Sequence, residues 1–66
     1  MVILVNGTRR ELPAGCSAEQ LLEQLGLVGQ RLALEVNMEI LPRSFYATHL
    51  LNDGDRVEVV QAIGGG

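Results

Sequence analysis

The sequence predicts an α+β fold in which a single helix crosses one face of a mixed five-stranded sheet. Three observations lead to this prediction: an apolar first segment that ends in Asn6-Gly7, one amphipathic helical segment, and alternating apolar segments after it. Residues 1–63 are expected to form one domain, and Gly64, Gly65 and Gly66 are expected to form a flexible C-terminal tail.

The first two strands are predicted to form a hairpin. Residues 1–5 are a continuous apolar run of strand length, and residues 9–12 follow as the returning strand. Asn6-Gly7 between them favours a type I′ turn, because this turn needs positive φ at both central residues. Pro13 and Gly15 then end the second strand.

A short amphipathic helix follows the hairpin. Ser17 is a good N-cap, and Gln20 stands three residues later, which together make the capping-box pattern. The apolar positions of this segment recur with the helical period and form one stripe: Ala18, Leu21, Leu22 and Leu25. Gly26 is a typical residue just beyond a helix end, because glycine adopts the left-handed conformation without strain.

The next segments predict a second hairpin. Residues 31–36 have period two, with Leu32, Leu34 and Val36 on one face and Ala33 and Glu35 on the other, which indicates a half-buried strand. Asn37 and Met38 are interpreted as a turn that leads to a short strand over residues 39–41. Pro42 restricts that short strand to an edge of the sheet, because proline cannot donate a ladder hydrogen bond.

Residues 56–63 are predicted to form the last strand, because they are rich in β-branched residues. A right-handed crossover places this strand parallel to the first and in the middle of the sheet. That order of elements is the β-grasp arrangement. The connector before it is expected to fill the rim of the core with four side chains: Phe45, Tyr46, Leu50 and Leu51.

Composition excludes several classes of function. The chain has 66 residues, a net charge of −3 and a pI near 4.8, which argues against nucleic acid or an anionic membrane as the main partner. No apolar run approaches the ~20 residues of a membrane span. We therefore expect a soluble, cytoplasmic protein without a nucleic-acid or membrane partner.

The side chains predict neither a catalytic set nor a metal site. A single Cys and a single His exclude an internal disulfide and leave no Cys-His cluster for a metal ion. Asp53 and Asp55 flank Gly54 and are interpreted as turn residues, not as metal ligands. Cys16 precedes the helix, where a thiolate is favoured, but neither Cys16 nor His49 is assigned a role.

The open face of the predicted sheet carries apolar residues. Leu4 on the first strand, and Val60 and Ala62 on the last, have the parity opposite to that of the residues facing the helix. Apolar surface of this kind marks contact sites for other proteins. These three residues are therefore predicted to form a docking patch for a partner protein.

The three glycines form an arm without side chains beyond the predicted central strand. Ordering a glycine costs more entropy than ordering any other residue, so Gly64, Gly65 and Gly66 contribute little to a folded core. Three residues reach at most about 10 Å, and such a thin arm fits a channel that excludes any β-carbon. The unusual functional group of the chain is then the α-carboxylate of Gly66.

A carboxylate becomes reactive only after another enzyme converts one of its oxygens into a leaving group. Adenylation with ATP achieves this, and an incoming sulfur can then displace AMP and leave a thiocarboxylate. The tail therefore predicts that Gly66 carries sulfur while other enzymes supply the catalysis.

Several segments occur in an order that resembles a known family. In chain order they are Asn6-Gly7, Leu21-Leu22-Glu23-Gln24-Leu25, Leu34-Glu35-Val36-Asn37, Ile40-Leu41-Pro42-Arg43, Asp53-Gly54-Asp55 and Gln61-Ala62-Ile63-Gly64-Gly65-Gly66. Together they resemble the ThiS family, the small sulfur carrier proteins of thiamine biosynthesis, over essentially the whole chain. The chain departs from the family pattern at Met38, where many members have Gly, and this departure concerns the turn type.

The resemblance implies a ubiquitin-like β-grasp fold, with no catalytic residue and no bound cofactor in this chain. It implies that an E1-like, ThiF-like enzyme adenylates Gly66 with ATP and Mg²⁺, and that sulfur from a cysteine desulfurase converts the adenylate to a covalent thiocarboxylate. A ThiG-like thiazole synthase then receives this sulfur for the thiazole ring of thiamine. Gly64, Gly65 and Gly66 are implied to enter the channels of these partners, and Cys16 inherits no role.

Three alternatives stay open. The small subunit of molybdopterin synthase uses the same fold and terminal chemistry, but its members are usually longer and lack the Gln-Ala-Ile-Gly-Gly-Gly ending. A ubiquitin-like protein modifier would instead have Gly66 joined to an amine of a target protein. A plain binding module would keep its function after removal of the last two glycines.

Overall fold

The computed structural model describes residues 1–61 as one sheet with one α-helix packed on it. The elements in chain order are β1 (Val2–Val5), β2 (Thr8–Glu11), α1 (Ala18–Gln24), β3 (Leu32–Val36), β4 (Glu39–Leu41), a 3-10 helix (Arg43–Phe45) and β5 (Arg56–Gln61). The predictions that concern residues 62–66 lie outside the described residues. Within residues 1–61, no helix has the length and apolar character that a membrane crossing needs.

The last strand lies in the middle of the sheet, as the sequence predicts. The strand order is β2-β1-β5-β3-β4, and β5 runs parallel to β1 and antiparallel to β3. β1 and β2 form the first hairpin, β3 and β4 form the second, and β4 lies at a sheet edge next to Pro42. The mixed five-stranded sheet with one crossover helix confirms the predicted fold class.

Both hairpins turn through two consecutive residues with positive φ. Asn6 and Gly7 have φ of 49° and 81°, and Asn37 and Met38 have φ of 51° and 70°. Positive φ at both central residues is the geometry of a type I′ turn, whose twist matches that of the flanking strands. Met38 therefore keeps this turn type despite its β-carbon, and its side chain is 89% exposed.

α1 begins with the capping box that the sequence predicts. The Ser17 hydroxyl accepts a hydrogen bond from the Gln20 backbone N–H at 3.1 Å, and Gln20 Oε1 accepts one from the Ser17 N–H at 2.8 Å. The chain leaves the helix after Leu25 through Gly26, whose φ of 72° is left-handed. The apolar stripe of the helix is buried against the sheet through Ala18, Leu21 and Leu22.

The core lies between α1 and one face of the sheet. Its most completely buried large side chains come from four elements: Ile3, Leu21, Leu34 and Val57. Burial of a side chain of this size contributes about 1.5–3 kcal/mol. Because strand residues alternate, their neighbours point to the face of the sheet away from α1, which we call the open face.

The expectation that Phe45 and Leu50 fill the rim of the core is wrong. They are 54% and 56% exposed, whereas Tyr46 and Leu51 are buried as expected. Leu50 forms a β-bridge to Ser17, and successive residues in extended chain point to opposite sides, so only Leu51 points inward. Phe45 precedes Tyr46 in the tight 3-10 turn, where neighbouring side chains diverge by about 120°.

Three predicted strand starts differ from the structure by one residue. β1 begins at Val2 rather than at Met1. β2 covers Thr8–Glu11 rather than residues 9–12, and β3 begins at Leu32 rather than at residue 31. Leu12 lies beyond β2 but is 3% exposed, and its N–H donates to the Met1 carbonyl at 2.8 Å. Strand pairing therefore continues in part past the assigned end of β2, as is common where element ends fray.

Asp55 joins the last turn to the second hairpin. Its carboxylate accepts hydrogen bonds from Asn37 Nδ2 at 3.0 Å and from the Asn52 N–H at 2.8 Å, and the residue is 7% exposed. A buried carboxylate is tolerated when hydrogen bonds satisfy it in this way. Asp53 Oδ1 accepts from the Val2 N–H at 2.7 Å. Both acids thus act as turn residues, and no cluster of His, Cys, Asp and Glu within residues 1–61 is suited to a metal ion.

Met38→Gly is expected to raise the free energy of unfolding by roughly 0.5–1 kcal/mol. Removing the left-handed L-residue relieves ~1–2 kcal/mol of strain, whereas the extra backbone entropy that glycine loses on folding costs only about 0.5–1 kcal/mol. Little packing is lost, because the Met38 side chain is 89% exposed. Urea unfolding compares wild type with Met38→Gly and Met38→Ala. The alanine variant keeps the strained φ, so its free energy of unfolding is expected to stay near that of wild type. A glycine variant less stable than the alanine variant contradicts this reading of the turn.

Candidate functional site

The candidate site is the end of β5 together with the open face beside it. β5 lies between β1 and β3, and its described part ends at Gln61. The predicted sulfur-carrying residue Gly66 and the tail residues Gly64 and Gly65 lie outside the described residues, as does Ala62. The strand that leads toward them has a sheet neighbour on each side, so it is held more firmly than an edge strand.

The side chain of Asn6 holds β5 close to its end. Asn6 Oδ1 accepts a hydrogen bond from the Val59 N–H at 2.7 Å, and Asn6 Nδ2 donates to the Val59 carbonyl at 3.1 Å. The Asn6 backbone N–H donates to the Val57 carbonyl at 2.9 Å. Sequence reasoning assigned Asn6 only to the turn. No local pattern indicates this contact, because it depends on how far β1 extends along β5.

Leu4 and Val60 both lie on the open face, but they are not side by side. Leu4 is half-buried and Val60 is 56% exposed. The parallel register pairs Leu4 with Arg56. Val60 lies four residues beyond Arg56 on β5, which is about 13 Å along the strand. Glu58 occupies the same face between Arg56 and Val60, so Leu4 and Val60 do not form a continuous apolar strip.

Charged side chains divide the open face. Arg9 and Arg56 are the cross-strand neighbours of Leu4 on its two sides. Glu35 on β3 and Glu58 on β5 lie directly opposite each other. Like charges in this arrangement destabilise a sheet, so the acidic pair has no advantage for folding. The open face therefore carries two arginines beside Leu4 and an acidic pair at the middle of β5.

Cys16 and His49 serve the structure around the start of α1. Burial, and after it the Glu23 carboxylate, raises the pKa of the Cys16 thiol, and a thiol held in this form is a poor nucleophile. Its Sγ donates to the Ser17 carbonyl at 3.5 Å. The His49 carbonyl accepts from the Ala18 N–H at 2.9 Å, which satisfies a backbone donor in the first helical turn.

Comparisons with known proteins agree with this architecture. The ThiS family model matches residues 3–66. The sulfur carrier protein ThiS of Escherichia coli K12 is 39% identical over 66 residues, which cover all of both chains. A thiazole synthase of Paramagnetospirillum magneticum is 44% identical over the whole chain, but the chain spans only 20% of the length of that relative. The crystal structure of ThiS from Geobacter metallireducens matches with a TM-score of 0.84 and 29% identity over all of both chains.

The fold and the central last strand define a protein of the ubiquitin-like β-grasp class. Within that class the match over residues 3–66 and the full-length match to the Escherichia coli protein identify the group. The chain belongs to the ThiS family of sulfur carrier proteins of thiamine biosynthesis. This confirms the resemblance seen in the sequence.

Proposed function

We propose that this chain carries sulfur on the carboxylate of Gly66 for assembly of the thiazole ring of thiamine. The observation that carries the proposal is the alignment with Escherichia coli ThiS, which spans all residues of both chains. The position of β5 supports it, because a central strand of the sheet leads toward the glycines. A partner that binds the sheet therefore also determines where the arm is presented.

The proposed chemistry needs only a carboxylate from this chain. A carboxylate oxygen of Gly66 attacks the α-phosphorus of ATP, and pyrophosphate leaves. Hydrosulfide (HS⁻) then attacks the acyl carbon, AMP leaves with the oxygen that linked it to the acyl group, a proton is released, and a thiocarboxylate remains on the carrier. ATP and Mg²⁺ belong to the adenylating partner, where the metal ion offsets the charge of the phosphates. The chain acts as a co-substrate of its partners.

The glycines are proposed to give the carboxylate access to narrow partner channels. Gly64 and Gly65 carry no β-carbon, so an arm built from them fits a channel too narrow for other residues. The entropy lost when glycine is ordered is the cost of this access, and binding of the folded body to the partner offsets it. The body thus recognises the partner while Gly66 reacts.

The proposed partners are an E1-like, ThiF-like adenylating enzyme, a ThiG-like thiazole synthase, and a cysteine desulfurase as the upstream source of sulfur. The relative from Paramagnetospirillum magneticum supports the second of these, because a thiazole synthase there contains a segment 44% identical to the chain. A carrier segment within the same polypeptide has a high effective concentration at the enzyme. The same contact is proposed between the carrier and a separate thiazole synthase.

Docking is proposed to use the open face, with Leu4, Val60 and Ala62 as apolar contacts. Val60 is 56% exposed and lies on the central strand, next to its last described residue. A partner that covers it gains roughly 25 cal/mol for each Å² of apolar surface removed from water. The acidic pair of Glu35 and Glu58 adds charge beside this contact, which favours partners with basic residues at the matching position.

Incubation of the carrier with the adenylating enzyme, ATP, Mg²⁺ and a sulfur source is expected to replace one oxygen of Gly66 by sulfur. Intact-mass spectrometry reports this exchange, and fragmentation assigns it to the last residue. The control is the carrier shortened to end at Gly64, whose carboxylate lies two residues closer to the sheet and is expected to stay unmodified. Equal modification of both chains contradicts the proposed geometry of the arm.

Val60→Asp is expected to weaken binding to the adenylating enzyme by about tenfold or more, because it places a charge at an apolar contact near the interface centre. Val28→Asp is the matched control, since Val28 is 54% exposed and lies in the loop after α1, away from the open face. Titration calorimetry gives the Kd of each variant. Equal Kd values for the two variants contradict docking through Val60.

A further inference from the structure

β1 is too short to support the whole length of β5. The parallel register joins only Leu4 to Arg56 and Val5 to Val57, whereas β5 continues to Gln61. In a parallel sheet the N–H and C=O groups of alternate residues point toward the same neighbour. Val59 follows Val57 in this alternation, so its backbone groups face the space where β1 has already ended.

Asn6 fills that space with its side chain while its backbone leaves the sheet. Its φ of 49° begins the turn into β2. Its amide continues along β5 and bonds both backbone groups of Val59, at 2.7 Å to the N–H and 3.1 Å to the carbonyl. The amide thus takes the place of the next peptide unit of β1.

Asn is suited to both tasks for separate physical reasons. It tolerates the left-handed conformation better than most residues, and its side chain carries one acceptor and one donor group. Asp has the same length and offers an acceptor for the Val59 N–H, but its ionised carboxylate has no donor for the Val59 carbonyl. Gly relieves the turn but offers neither group.

We propose that Asn6 is a positioning residue, whose pairing with Val59 holds the β1 side of β5 beyond the end of β1 and so orients the strand that leads to the reactive arm. This inference rests on the proposed function of Gly66. β3 pairs with β5 as far as Gln61, so the chain from Gln61 to Gly66 spans at most about 18 Å. Without the pairing, β3 alone holds β5 beyond Val57, as it would hold an edge strand. These residues then open more often and must be ordered each time the partner binds.

Asn6→Gly is therefore expected to raise the KM for the carrier in adenylation by roughly tenfold and to leave kcat unchanged, because the loss concerns ordering before the reaction. ATP–pyrophosphate exchange with a ThiF-like enzyme gives both constants. In the free carrier, amide hydrogen exchange at Val59 is expected to speed up by a similar factor. Asn6→Asp keeps the acceptor but places a carboxylate oxygen against the Val59 carbonyl oxygen, so its KM is also expected to rise.

Asn37→Gly is the matched control. Asn37 also sits at the first position of a type I′ turn, with φ of 51°, and its side chain also makes two hydrogen bonds, to Asp55 and to the Arg56 N–H. These bonds hold the start of β5, far from the arm. Asn37→Gly is expected to lower the unfolding midpoint at least as much as Asn6→Gly does, because it removes a hydrogen bond from the buried Asp55 carboxylate. The KM for the carrier in adenylation is expected to stay at the wild-type value.

The outcomes separate this inference from the proposed function. A raised KM in Asn6→Gly with a wild-type KM in Asn37→Gly supports positioning by Asn6. A wild-type KM together with wild-type hydrogen exchange at Val59 in Asn6→Gly and Asn6→Asp overturns it. An equal increase in KM in Asn6→Gly and Asn37→Gly also overturns it, because the increase then reflects general destabilisation. If wild type itself is not adenylated, the proposed function fails, and faster exchange at Val59 then shows a structural role alone.

Discussion

The parallel pairing of β1 with β5 is the constraint on which the rest of this structure depends. It places the last strand of the chain between the first and the third, and Val57 on that strand is among the most completely buried side chains. The sheet and its core are therefore complete only when residues close to the C-terminal glycines have docked. The strand that completes the core also leads to the proposed sulfur-bearing residue. Binding of a partner to the folded body therefore also determines where that residue is presented.

Two asparagines secure this central strand at its two ends. Asn37 bonds the N–H of Arg56 at the start of β5, and Asn6 bonds Val59 near the end. Each lies in a hairpin turn, where the backbone leaves the sheet, and the side-chain amide of each forms hydrogen bonds with β5. A hydrogen bond of this kind contributes about 0.5–1.5 kcal/mol, so the pairs define the course of β5 more than they determine overall stability.

Local signals in the sequence predicted most of the fold. Asn6-Gly7, the capping box from Ser17 to Gln20 and the period-two alternation each act over a few residues, and each appears where it was expected. Contacts between distant residues were not predictable in the same way. The Asn6–Val59 pairing joins residues 53 positions apart, and it depends on how far β1 extends along β5. The separation of Leu4 from Val60 likewise depends on strand register, which alternation alone does not set.

The most direct test of a sulfur-bearing Gly66 is growth of cells whose sole thiazole-forming carrier is this chain. The account predicts growth without added thiazole when the chain ends at Gly66, and a thiazole requirement when the same chain lacks Gly65 and Gly66. Both strains should grow alike when thiazole is supplied, which shows that the defect is confined to this pathway. Growth of the shortened strain without thiazole would contradict the account.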